Sequence, residues 1–124
     1  MLVNPWGYKG AMKKEKKKDI FFDIDGVITI ETEGYSNAEY LARTPNKAVI
    51  NIINMFYKNP RYKITLYTAR HGCDRRITES WLRTHGVKYH ELILDKPHYH
   101  ILIDDRALKF EGNVMSLIDE IYEC

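Results

Sequence analysis

Two pairs of aspartates are the residues of this sequence best suited to chemistry. Asp23 and Asp25 follow a short apolar stretch near the beginning of the chain, and Asp104 and Asp105 follow another one near its end. Carboxylates about 4 Å apart repel by about 4 kcal/mol at an effective dielectric of about 20, so a cluster of all four requires a cation. Oxygen ligands favour magnesium over zinc, and protein-bound magnesium usually also binds water and phosphate. The aspartates therefore indicate magnesium-dependent phosphoryl transfer.

The elements that must position these aspartates alternate between strands and helices. Short apolar, β-prone stretches indicate buried strands, and apolar stripes at helical spacing indicate amphipathic helices. This alternation predicts an α/β layered fold around a mostly parallel sheet. Residues 27–30 could form a further short strand or one arm of a flap. The predicted strands are residues 20–25, 62–67, 89–94 and 99–103, and the predicted helices begin at the N-caps Thr44 and Asn113 and near Asp74.

Polar residues end three of the predicted strands. Asp23 and Asp25 end the first, Thr68 ends the second, and the Asp104-Asp105 pair follows the last. Ligands of open α/β sheets bind outside the carboxyl ends of the strands. We therefore expect these side chains to lie in one crevice although they are far apart in sequence.

Length and composition predict one folded domain. The chain has 124 residues, of which 44% are hydrophobic and 29% charged, and this excludes a disordered, collagen-like or coiled-coil protein. No apolar stretch approaches the roughly 20 residues of a membrane helix, and no signal peptide is recognisable. The two cysteines, Cys73 and Cys124, form neither a CxxC nor a zinc pattern, which favours a reducing, cytoplasmic location.

The first 18 residues differ from the rest of the chain. They contain six lysines and one glutamate, whereas the whole chain has a formal net charge of only +2. We expect residues 1–18 to form a basic, flexible arm, and residues 19–124 to form the domain. The arm could direct the protein to nucleic acid or an anionic surface, or it could simply be a solvated leader.

Together these residues make the sequence resemble the haloacid dehalogenase (HAD) superfamily of phosphohydrolases, over about residues 19–122. The resemblance is to its small capless members, found among sugar- and capsule-related phosphatases and polynucleotide 3′-phosphatases. It implies a three-layer, Rossmann-like (HAD-like) domain with a mostly parallel central sheet and no large cap. The four motifs stand in the family's order at residues 23–27, at Thr68, at Lys96 within residues 95–97, and at Asp104-Asp105.

Two other protein classes share these residue types and are excluded by spacing or order. In an EF-hand loop, Gly26 would come two positions too early, and Gly34 would occupy the position of the bidentate glutamate. A response-regulator receiver domain has its acidic pair first, whereas here the adjacent pair, Asp104-Asp105, comes last.

The resemblance implies a role for each catalytic residue. Asp23 is expected to be the nucleophile that forms an aspartyl-phosphate. Asp25 is expected to protonate the leaving oxygen and later to activate water, and we expect neighbouring carboxylates to raise its pKa toward the working pH. Thr68 would donate a hydrogen bond to the phosphate, and Lys96 would neutralise its charge.

The resemblance also implies a metal site and a substrate site. Magnesium would be held by the Asp23 carboxylate and the Asp25 carbonyl together with Asp104, while Asp105 binds directly or through water. Arg70 is a candidate for gripping the substrate, although it could equally be structural. The polar stretch, residues 27–43, would be a flap over the site, with Tyr35 and Tyr40 facing the substrate.

The expected function is a magnesium-dependent phosphomonoesterase acting on a sugar phosphate or a related small phosphorylated metabolite. A polynucleotide 3′-phosphatase is the alternative that the lysine-rich arm favours. A non-catalytic phosphate-binding module with the same fold is the alternative outside enzymes. The sequence does not predict the oligomeric state, and it predicts no membrane partner.

Overall fold

A parallel three-stranded sheet forms the centre of the computed structural model, which describes residues 16–123. Its strands lie in the order β1-β2-β3. Ile20 of β1 lies opposite Ile64 of β2, and Leu66 of β2 lies opposite Leu92 of β3. The elements are β1 (Lys18–Phe22), α1 (Asn37–Leu41), α2 (Lys47–Tyr57), β2 (Tyr62–Tyr67), α3 (Arg75–Thr84), β3 (Glu91–Ile93) and α4 (Val114–Glu123), with a short 3₁₀ turn at Gly72–Asp74 before α3.

The helices cover one face of this sheet. Right-handed crossovers that step in the same direction put α2 and α3 on the same side, and α4 joins them because the rings of Tyr122 and Phe56 lie 5.2 Å apart. Their apolar side chains form one core with the strands. The fully buried members of this core include Ile24, Ile28, Val49, Ile53, Phe56, Ile64, Leu66, Trp81 and Leu82.

The helix α2 follows its predicted stripe but begins later than predicted. Its N-cap is Asn46, whose Oδ1 accepts a hydrogen bond from the Val49 N–H. Thr44 is not the cap, because its N–H and hydroxyl both donate to the Glu31 carboxylate at 2.7 Å. The predicted apolar stripe is confirmed, since Val49, Ile52, Ile53 and Phe56 are buried and Tyr57 is partly buried.

The prediction of a strand at residues 99–103 is wrong. This segment pairs with no strand in the described part of the chain, and Tyr99, Ile101, Leu102 and Ile103 are all exposed. Local apolar pattern favours a strand, but strand formation also needs a partner edge, which is a long-range contact. The other predicted elements are present with shifted ends, including α3, β3 and α4, whose cap Asn113 accepts from Ser116.

The predicted fold class, a small α/β Rossmann-like domain with a parallel sheet and no large cap, is confirmed. Residues 16–123 show two of the three predicted layers, the sheet and the helices on one of its faces. The predicted basic arm falls mostly on residues 1–15, outside the described residues, and its last residue, Lys18, begins β1. Within residues 16–123, every helix is too short or too polar to cross a membrane.

Candidate active site

Three of the predicted site residues meet at the carboxyl edge of the sheet. Asp23 directly follows β1, Thr68 directly follows β2, and Lys96 comes shortly after β3. The Lys96 ammonium lies 3.7 Å from Oδ2 of Asp23, and the Lys96 N–H donates to the Thr68 carbonyl at 2.9 Å. The parallel register of β1, β2 and β3 therefore brings the Asp23 carboxylate and the Lys96 ammonium together next to Thr68, whose buried hydroxyl accepts from the Arg70 N–H at 3.2 Å.

The Asp23 carboxylate is open on one side and held on the other. Its Oδ1 accepts from the Ile24 N–H at 2.8 Å, and its side chain is 40% exposed. Burial raises the pKa of Asp23 and outweighs the opposing attraction of Lys96. A partly exposed carboxylate beside one cation can be reached by a substrate and is suited to approach an electrophilic phosphorus.

Two aromatic rings accompany the Lys96 ammonium. Its Nζ lies 5.4 Å from the ring centre of Tyr67 and 5.7 Å from that of Tyr99, within the range of cation–π attraction. Phe21 packs edge-on against Tyr67, and about half of its surface is exposed. The rings of Tyr67 in β2 and of Tyr99 thus lie close to the ammonium that faces Asp23.

Asp25 is bound by two buried arginines. Arg70 donates from Nε to Oδ2 at 2.9 Å and from Nη2 to Oδ1 at 2.8 Å, while Arg43 donates from Nε to Oδ1 at 3.0 Å. Both guanidinium groups are only 2% exposed. Arg70 also donates to the Thr78 hydroxyl, so its three nitrogens all point to protein atoms rather than outward to a substrate.

These arginines reverse the expected shift of the Asp25 pKa. Burial disfavours the charged carboxylate, but the hydrogen bonds and charge of Arg70, followed by those of Arg43, hold the pKa of Asp25 below its ordinary value. The expectation that neighbouring carboxylates raise this pKa is therefore wrong. Asp25 is held as a carboxylate, which suits a proton acceptor better than a proton donor.

Arg43 was not singled out from the sequence, and its role depends on contacts that no motif encodes. It lies at the end of the flap, residues 27–43, where a single arginine resembles any surface cation. The one available signal was that it immediately precedes the turn into α2, on a connection expected to fold over the site. Arg70 carried a stronger signal, because it follows Thr68 by two residues at a strand end.

The two ends of the flap are joined by backbone contacts. Thr29 and Pro45 form an antiparallel bridge, with the Ile30 N–H donating to the Thr44 carbonyl. Gly26 makes the turn that leads into the flap with φ of 92°, a conformation that favours glycine. Residues 27–30 are therefore one arm of the flap.

The two flap tyrosines differ in exposure. Tyr35 is 73% exposed, whereas Tyr40 is 3% exposed, with its ring 4.0 Å from the Arg70 guanidinium carbon and 5.2 Å from that of Arg43. The expectation that Tyr40 faces the substrate is wrong, because its ring is buried and contacts the two guanidinium groups.

The late aspartate pair is separate from this cluster. Asp104 and Asp105 are exposed, and Oδ1 of Asp104 accepts from the Arg106 N–H. Among residues 16–123, no group of three His, Cys, Asp or Glu side chains is arranged to hold a metal ion. The described arrangement therefore does not fit the expected magnesium site.

Comparison with known proteins supports the fold. No protein-family model and no curated protein matches the chain. A crystal structure of a structural-genomics target from Vibrio cholerae is similar, with a TM-score of 0.62 and 24% identity over 84% of this chain and 98% of that one. Two structures of the Pnkp1/Rnl/Hen1 complex, one described as an RNA repair complex, are similar with TM-scores of 0.54 and 0.53 and identities of 23% and 21%.

The match to the repair complex involves part of a longer chain. It covers 73% and 71% of this chain but only 31% and 30% of the neighbour. Together the similar structures show the fold: a small Rossmann-like α/β domain with a parallel sheet.

Proposed function

We propose that this protein is a phosphomonoesterase in which Asp23 forms an aspartyl-phosphate. The observation that carries the proposal is the pairing of the Asp23 carboxylate with the Lys96 ammonium at 3.7 Å, beside Thr68. An anion can attack a phosphate dianion only where nearby cations and hydrogen-bond donors reduce their mutual repulsion. Lys96 provides such a cation, and the Thr68 hydroxyl provides a donor without adding charge.

The reaction has two steps. In the first, an Asp23 oxygen bonds to phosphorus while the bond between phosphorus and the ester oxygen breaks, and the leaving oxygen takes up a proton from solvent. In the second, water attacks the acyl phosphate at phosphorus and the bond between phosphorus and the Asp23 oxygen breaks; Asp25 accepts a proton from that water and then gives it to solvent, so that both carboxylates and inorganic phosphate are regenerated. The ion pairs of Asp25 with Arg70 and Arg43 support its role as proton acceptor in this second step.

A low pKa at Asp25 has a consequence for the first step. A carboxyl group that holds its proton weakly is a poor donor to an alkoxide. We therefore expect aryl phosphates, whose leaving oxygen needs little protonation, to react faster than alkyl phosphates of similar size.

We also propose that activity depends on magnesium, as the four aspartates suggest. The ligand set requires Asp104 and Asp105 to approach Asp23. One observation is compatible with this approach: four apolar residues just before the pair, Tyr99, Ile101, Leu102 and Ile103, are exposed, so this segment is not fixed by packing into the core.

The substrate class that we propose is a sugar phosphate or a related small phosphorylated metabolite. The polynucleotide 3′-phosphatase alternative is favoured by the fold similarity to part of the Pnkp1/Rnl/Hen1 RNA repair complex. Phosphate release should therefore be measured with hexose phosphates, nucleoside monophosphates and 3′-phosphorylated oligonucleotides at two salt concentrations. Turnover of a polynucleotide should fall steeply with salt, whereas turnover of a hexose phosphate should change little.

The nucleophile is tested by Asp23→Asn, with Asp119→Asn on the exposed side of α4 as a matched control. We expect Asp23→Asn to reduce the release of phosphate from phenyl phosphate by at least about 10³-fold. Asp119→Asn should leave it unchanged. Equal activity of Asp23→Asn and the parent would disprove the assignment. A parent protein that binds inorganic phosphate but hydrolyses no ester would instead support the non-catalytic alternative.

A further inference from the structure

Arg43 is a buried cation that belongs to none of the sequence motifs. It is 4% exposed as a residue, and burying a guanidinium group is costly unless its donors and its charge are satisfied. Its partners therefore show what the position is used for.

The guanidinium group of Arg43 joins two parts of the molecule. Its Nε donates to the Asp25 carboxylate at 3.0 Å. Its other two nitrogens donate to the carbonyls of Glu33 and Gly34 at 2.6 and 2.8 Å. One side chain thus bridges the middle of the flap and the carboxylate that we assign to proton transfer.

The backbone of Arg43 is also fixed. The indole N–H of Trp81 in α3 donates to the Arg43 carbonyl at 3.1 Å, and Trp81 is itself 2% exposed. The guanidinium group is therefore anchored to the core rather than carried freely by the flap. A lysine could not reproduce this contact pattern, because an ammonium group lacks the planar fork that reaches three separate acceptors.

Arg43 and Arg70 hold Asp25 from different elements. Arg70 approaches from the end of β2 and contacts both carboxylate oxygens, whereas Arg43 approaches from the end of the flap. If Arg43 is removed, Asp25 keeps the Arg70 ion pair, but the Glu33 and Gly34 carbonyls lose their donors. The two effects can therefore be separated by experiment.

We propose that Arg43 is a positioning residue that fastens the flap, residues 27–43, to Asp25 and so fixes the carboxylate for proton transfer. The proposal rests on the proposed phosphatase function for its catalytic part. Its structural part, the attachment of the flap, does not depend on that function.

The test uses the full chain with Arg43→Gln and Arg43→Lys, and with Arg76→Gln on the exposed side of α3 as a matched control. Hydrogen exchange of the Tyr40 and Ala42 amides reports flap attachment, because both donate within α1 inside the flap. We expect these amides to exchange about 10-fold faster in Arg43→Gln. The substitution removes the buried hydrogen bonds of the Arg43 side chain, and a loss of about 1.4 kcal/mol in the free energy of local opening gives that factor. Amides of β2 should keep their protection.

Steady-state kinetics with phenyl phosphate test the catalytic part. We expect kcat of Arg43→Gln to fall about 10-fold, because small displacements of a catalytic group reduce turnover by such factors, while KM stays within about twofold because Lys96 and Thr68 are untouched. Arg43→Lys should fall between Arg43→Gln and the parent, and Arg76→Gln should match the parent.

Several results would overturn the proposal. Faster exchange throughout the chain would make Arg43 a general stability residue, and unchanged exchange at Tyr40 and Ala42 would show that it does not hold the flap. A raised KM with unchanged kcat would make it a substrate contact. If Arg43→Gln does not fold, the same criteria apply to Arg43→Lys. If the parent releases phosphate from no ester, the proposed function is wrong. The attachment of the flap is then decided by the exchange result alone.

Discussion

The residues expected to form the active site fall into two regions that differ sharply in how they are held. The early region, residues 18–96, contains the sheet, and hydrogen bonds between neighbouring elements fix Asp23, Thr68 and Lys96. The late region, residues 97–112, forms no helix or strand, and Ile103 within it is 94% exposed. Asp104 and Asp105 lie in this second region.

This difference shows which of the proposed site residues are held in place by the fold. The Asp23 carboxylate, Thr68 and the Lys96 ammonium are set by strand register and by the pairing of the Lys96 N–H with the Thr68 carbonyl. The proposed metal ligands Asp104 and Asp105 lie in a segment without secondary structure. The residues proposed to bind phosphate are therefore preorganised, whereas the proposed metal site would have to be assembled.

The largest expected effect is that of a substitution in the early region, at Lys96. Lys96→Met removes the cation next to Asp23 and should reduce kcat/KM for phenyl phosphate about 10²- to 10³-fold, as the loss of one preorganised electrostatic donor does. Lys109→Met, at an exposed position in the late region, is the matched control and should have no effect. A change of less than about threefold in Lys96→Met would show that this ammonium does not act on the phosphate.

The free energy of unfolding tests the comparison between the buried early region and the exposed late region, with one substitution in each. Ile64→Ala in β2, at a position with no exposed surface, should lower the free energy of unfolding by about 2–5 kcal/mol. Ile103→Ala should change it by less than about 0.5 kcal/mol if the segment is exposed. Denaturant unfolding measures both. A large loss for Ile103→Ala would break the comparison, because it would mean that the late segment is buried in solution.

The smallest of the three effects concerns the assembly of the metal site. Asp104→Asn should lower activity at a magnesium concentration that saturates the parent by at least about 10-fold, in line with losses at metal-site residues. Magnesium should also raise the thermal midpoint of the parent more than that of Asp104→Asn, because ligand binding stabilises the folded state. Asp119→Asn is the control. Identical responses in all three proteins would exclude Asp104 from the site.

The sequence predicted the early region well for physical reasons. Buried strands and amphipathic helices have local patterns, so the stripe of α2 and the positions of β1 and β2 could be recognised from spacing alone. Residues at the carboxyl ends of neighbouring parallel strands must lie close together, and this rule brought Asp23 and Thr68 to one edge.

What the sequence did not predict depends on contacts between distant residues. The N-cap moved to Asn46 because Thr44 bonds to Glu31, thirteen residues earlier. The pKa of Asp25 is lowered by arginines 18 and 45 residues away along the chain. Such contacts leave no periodic signal, and neither does the choice of partner edge that a strand at residues 99–103 would need.

The open face of the sheet has a practical consequence for handling this protein. Phe21 and Tyr67 meet edge-on there, and Phe21 is 51% exposed. Contiguous exposed apolar surface promotes association between molecules. Concentrated preparations should therefore be checked for self-association, and dilute samples are the safer choice for light scattering or crystallisation.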